Sequence, residues 1–170
     1  MFIAWSVAVV ICCAFIALAD VGMRRVPNPL LLILVVGQSY VLVSHGYSLQ
    51  AVTRVDALLG LIIGLGVSLP FYLFRVMGAG DVKFFAVIGF VLGFRALLPI
   101  WLIATVLAGV HACLIVLLRI PSPAQYVALG LATRFEGSGF GRRIAIWRCG
   151  RKGIPFAAYL SIGTIYVLSH

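Results

Sequence analysis

Four carboxylates stand in this 170-residue chain: Asp20, Asp56, Asp81 and Glu136. Asp20 closes one long apolar stretch and Asp81 opens another. An acid within or beside a membrane-spanning segment is costly and marks a function by default. Two carboxyls about 3 Å apart cannot both ionise, so they share one proton. The ionised member can then take a proton from water while the neutral one polarises a peptide carbonyl, which is the chemistry of an aspartic peptidase. Gly78-Ala79-Gly80 immediately before Asp81 allows a sharp turn and a close approach of backbone to a substrate strand. Simpler roles stay open for each acid. Asp81 is a good N-cap for the helix that follows it, and Asp20 can sit at the interface and pair with Arg24.

Other chemistries find little support. Cys12, Cys13, Cys113 and Cys149 form no CxxC pair, and His45, His111 and His170 are isolated, so neither a metal nor another cofactor is expected. The serines and histidines suggest no nucleophilic triad. Asp56 beside Arg54 reads as a surface pair, and Glu136 as a solvated ion pair within a basic segment.

The elements that must position Asp20 and Asp81 follow from composition. The chain is 64% hydrophobic and 10% charged, whereas a soluble domain carries about a quarter charged residues. That excludes an ordinary soluble enzyme and also a disordered chain. What fits is an all-α, polytopic membrane bundle forming a single domain over 1–170. Six spans are expected, at 2–19, 29–44, about 57–74, 82–94, 97–118 and about 154–169, with the fourth and fifth separated by a turn at Arg95. The basic residues follow the first apolar stretch rather than precede it, which favours a retained helix over a cleaved signal peptide.

Placing both termini outside puts eleven of the 13 basic residues on the cytoplasmic side, with only Arg54 and Arg95 outside. Asp20 and Asp81 then share the cytoplasmic face, because two complete spans separate them. The net charge of +9 follows from this orientation and from anionic lipid headgroups, not from a nucleic-acid partner. Most of it lies in a loop at about 119–153, readable either as a lipid-facing surface or as a docking site for substrate. Gly60 with Gly64, and Gly89 with Gly93, have the spacing of close helix packing.

Two motifs carry a family resemblance. Gly78-Ala79-Gly80-Asp81-Val82-Lys83 resembles the GxGD motif of the type IV prepilin peptidases. Asp20-Val21-Gly22-Met23-Arg24-Arg25-Val26-Pro27-Asn28 is similar to their first motif, an Asp at a helix end followed by Arg and then Val-Pro-Asn. Gly153-Ile154-Pro155-Phe156 is similar to a late Pro-aromatic segment, although Ala157 and Ala158 replace the small Gly and Pro residues often found there, so it adds little. The resemblance implies a GxGD aspartic peptidase fold with Asp20 and Asp81 as the catalytic pair, supported by Gly78, Gly80, Lys83, Arg25, Pro27 and Asn28. Lys83 can bias the ionisation of the pair or anchor its helix at the headgroups.

The resemblance further implies an enzyme of the bacterial inner membrane. It would remove the basic leader of a prepilin or pseudopilin precursor at the cytoplasmic face. The cysteine-rich segment of the larger members is missing, as in the short, peptidase-only form associated with Flp/Tad-type pili, so methyl transfer is not expected. Other readings remain: an ion- or proton-coupled transport subunit using the same aspartates, a silent pilus or secretion assembly factor, and a GxGD peptidase with another substrate.

Overall fold

The computed structural model of the chain describes residues 2–23, 26–119 and 155–169. Arg24, Arg25, Glu136, Cys149 and the basic loop beyond Arg119 lie outside the described residues. Within them are six α-helices: α1 Phe2–Met23, α2 Asn28–His45, α3 Arg54–Leu73, α4 Ala79–Leu92, α5 Phe94–Arg119 and α6 Phe156–Ser169, with a short 3-10 turn at Leu49–Ala51. No strand is formed among the described residues.

Helix ends explain the departures from the expected spans. Pro27 precedes α2 and Pro29 lies in its first turn, where a missing N–H costs nothing. α3 begins at Arg54, earlier than expected, because Thr53 and Asp56 form a reciprocal capping box. Asp56 therefore bonds to Thr53, through its N–H at 3.2 Å and its hydroxyl at 2.7 Å, rather than pairing with Arg54. Arg54 instead donates from Nε to the Leu42 carbonyl at 3.2 Å. The apolar stretch 82–118 does form two helices, but the break falls at Gly93 and not at Arg95. Gly93 takes φ +77°, which a side chain disfavours, and Arg95 lies in the first turn of α5.

Four helices (α1, α2, α3 and α5) are long and apolar enough to cross a membrane. α4 and α6 have only 14 residues each, about 21 Å of helix against a hydrocarbon core of about 30 Å. These two short helices are interior elements. α4 packs on α2, α3, α5 and α6, and α6 packs on α1, α4 and α5. Phe84, Ile16, Leu34, Ile100 and Leu160 fill the core between them. The N-terminal ends of α4 and α6 meet at a site between the longer helices.

Two devices hold α4 in place. Gly60 of α3 and Gly89 of α4 pack backbone to backbone, so a methyl group on either would overlap the other's carbonyl oxygen. Gly64 packs in the same way against Ala86. The second device is Gln38, fully buried on α2. Its Nε2 donates to the Phe90 carbonyl at 3.3 Å and the Val91 carbonyl at 3.1 Å. Its Oε1 accepts from Trp5 Nε1 at 3.0 Å and Ser48 Oγ at 2.8 Å. The two carbonyls belong to the last turn of α4, where the break at Gly93 leaves them without helical partners. One amide thus ties α1, α2, α4 and the α2–α3 loop together.

Candidate active site

Asp20 lies in the last turn of α1 and is 6% exposed. Its Oδ2 accepts the backbone N–H of Ala158 at 3.1 Å. Asp81 is the third residue of α4, so Gly78, not Asp81, is the N-cap. Its carboxylate faces the backbone N–H groups of Gly78 and Ala157 and lies in the field of Asp20. Ala157 and Ala158 are consecutive residues in the first turn of α6, where backbone N–H groups have no helical acceptors. Two neighbouring N–H groups of one helix start therefore face one carboxylate each, and that of Ala158 bonds to Asp20. The partial positive charge at that helix end favours negative charge on the pair.

The glycines of the motif have separate tasks. A Cβ on Gly78 would stand 3.2 Å from Asp81 Oδ2, so its absence leaves the carboxylate room to fold back. A Cβ on Gly80 would stand 3.1 Å from Val26 Cγ2. Val26 immediately precedes Pro27 and Asn28, so the two motifs interlock at this contact. The α3–α4 loop is fixed by Val76 and Arg75, whose N–H groups donate at 2.9 Å to Phe71 O and Tyr72 O respectively. This pattern of helix ending requires a left-handed residue, and Arg75 supplies it at φ +58°.

A cavity of about 600 Å³ opens beside Asp81. Phe71, Val76, Met77 and Gly78 line it from α3 and the α3–α4 loop, Trp101, Thr105 and Ala108 from α5, and Phe156 from α6. Asp81 is the one charged residue among these lining groups, whereas Asp20 is buried and does not line the cavity. Ala108 is the fifteenth residue of α5, facing the start of the 14-residue α4, so α5 runs back alongside α4. Beyond Ala108, α5 continues to Arg119, about 16 Å farther.

Not every expected site residue joins this constellation. Asp20, Asp81 and Gly78 do, and Gly80 supports it through Val26. Pro27 caps α2. Lys83 and Asn28 instead line a separate groove on another side of α4. Arg25 lies outside the described residues. Missing from the expectations were the two alanine N–H groups of α6 and the cavity wall from α5. Also missing was Tyr159, which lies in the field of Asp20 with its ring 5.9 Å from that of His111. Pro155 ahead of an apolar run was the available signal for α6, since proline is favoured where a helix begins.

Fold and site together define a class: a helical membrane protein with two carboxylates gathered on one interior helix start, beside an apolar cavity. Residues 7–113 match the model of the type IV leader peptidase family. The chain belongs to that family, and this makes it a peptidase with a prepilin-type protein substrate. The match contains both aspartates and all of the GxGD segment, and it ends before α6. No curated protein and no solved structure matches the chain.

Proposed function

We propose that the chain is an aspartic endopeptidase that removes the basic leader of a prepilin or pseudopilin of the Flp/Tad type at the cytoplasmic side of the inner membrane. The observation that carries this reading is the convergence of Asp81 and Asp20 on the consecutive N–H groups of Ala157 and Ala158, the latter hydrogen-bonded to Asp20. Carboxylates on separate helices are thereby brought to one place.

In this mechanism the pair holds one proton between reactions. The ionised carboxylate takes a proton from water as the water oxygen bonds to the scissile carbonyl carbon. The protonated carboxyl donates to the carbonyl oxygen, giving a neutral tetrahedral diol. Collapse of the diol re-forms the carbonyl, breaks the C–N bond and passes a proton to the leaving nitrogen, and the pair returns to its starting state. The backbone donors of α6 offset the negative charge throughout, without reorganising.

The cavity supports a direction for the substrate. Among the described residues its lining offers no acidic side chain other than Asp81 to a basic leader, but its aromatic and aliphatic walls suit the apolar segment that follows the cut. The leader would then lie on the cytoplasmic side and the precursor helix in the bilayer, with both termini of the enzyme on the opposite face.

Co-expression with a candidate prepilin tests the reading by gel mobility. Leader removal with the wild-type chain, and its loss with Asp20→Ala and with Asp81→Ala, is the expected result. Processing that survives either change would refute the paired mechanism. An unprocessed precursor beside wild-type chain would point to the silent assembly factor.

A further inference from the structure

Two motif residues meet away from the aspartates. Lys83 follows Asp81 by two positions, about 200° around a helix, so the two side chains leave α4 on different sides. Lys83 and Asn28, the first residue of α2, line one groove of about 350 Å³ between α2, α3 and α4. The body of the groove is apolar, formed in part by Leu32, Val35, Leu61 and Leu65. Leu32 is 66% exposed and Leu65 37%, so the groove opens outward toward the lipid side of the bundle.

We propose that this groove binds an anionic phospholipid, with one acyl chain along the leucines and the headgroup phosphate at Lys83 and Asn28. The polarity of the groove matches such a molecule: a long apolar body with an exposed cation and an amide as its polar members. Among the described residues the acids face other groups, Asp20 and Asp81 the start of α6 and Asp56 Thr53, so none of them lies in the groove with Lys83. The start of α2 has no side-chain cap on its N–H groups, which adds partial positive charge at the Asn28 end. A precursor with a basic leader is the poorer occupant, because it would bring like charge to Lys83. The site is independent of the peptidase reading, since it uses neither aspartate.

Native mass spectrometry of the purified full-length protein tests the proposal, with phosphatidylglycerol and phosphatidylcholine of identical acyl chains as probes. The wild-type chain is expected to retain phosphatidylglycerol about fivefold better, the factor for one lysine near an anionic headgroup. Lys83→Gln is expected to abolish that preference and Lys83→Arg to keep it. Leu65→Trp, which fills the groove body, is expected to lower retention of both lipids. Equal retention of the two lipids by the wild-type chain, or an unchanged preference in Lys83→Gln, would overturn the proposal. Displacement of bound phosphatidylglycerol by a precursor helix peptide, with Leu65→Trp blocking that peptide, would assign the groove to substrate and overturn it as well.

Discussion

Asp20 and Ala158, 138 positions apart in the chain, are joined by a 3.1 Å hydrogen bond from backbone N–H to carboxylate. The preceding N–H, that of Ala157, faces Asp81. A segment that looked uninformative in the sequence is thus the element that unites the two acids, and it does so with backbone rather than side chains.

Ala158→Pro tests that role directly. Proline in the first turn of a helix forfeits no intrahelical bond, so the change removes the donor to Asp20 and leaves α6 to form. A hydrogen bond to a charged group contributes about 1.5–3 kcal/mol, so leader cleavage should slow at least tenfold. Ala158→Gly keeps the donor and should retain activity. Single-turnover cleavage of a leader peptide measures both, and full activity in the proline variant would remove Ala158 from the account.

The contact between the motifs has its own test. Gly80→Ala places a methyl group 3.1 Å from Val26 Cγ2 and should displace Asp81 from the pair. Val26→Ala opens that space, so the double change should recover part of the lost processing. Equal loss in the single and double variants would mean that Gly80 acts in some other way.

The cavity is tested by filling it. Thr105→Trp adds an indole to a wall facing Asp81, at a position that is only partly buried. The bundle should keep its thermal stability while kcat/KM for precursor falls, mainly through KM. An unchanged KM would place the substrate outside this cavity.

Gln38→Leu removes the partner of four polar groups at once, including the terminal carbonyls of α4. Unpaired polar groups are costly where water is absent, and a loss of about 2–4 kcal/mol in unfolding free energy is expected. Unfolding of the detergent-solubilised protein measures it, and a loss below about 0.5 kcal/mol would contradict the role given to Gln38.

Much of this arrangement was legible in the sequence because membrane helices are written in long apolar runs, and because so few acids interrupt them. The order of the six helices and the placement of Asp20 and Asp81 near helix ends followed from that pattern. The turn falls at Gly93 and not at the charged Arg95, since backbone conformation and not charge decides where the helix breaks. The role of Ala157 and Ala158 was not legible, because a backbone N–H leaves no mark on residue type. Thr53-Arg54-Val55-Asp56 did have capping-box spacing, but the adjacent Arg54 offered a more obvious partner for Asp56. Lys83, two residues from Asp81, is open in the sequence either to biasing the pair or to anchoring its helix, and the helical rotation of two residues places it in another groove.

The central claim is that Asp20 and Asp81 act as one unit on water. The most direct measurement is the rate of leader cleavage by purified protein, read by mass spectrometry of the new N-terminus, for Asp20→Asn, Asp81→Asn and the double variant. Residues that act as a unit lose nearly everything at the first change. Each single variant should therefore fall by at least about 10³-fold and the double variant no further. Substantial cleavage in either single variant, or losses that multiply in the double, would contradict a shared catalytic pair.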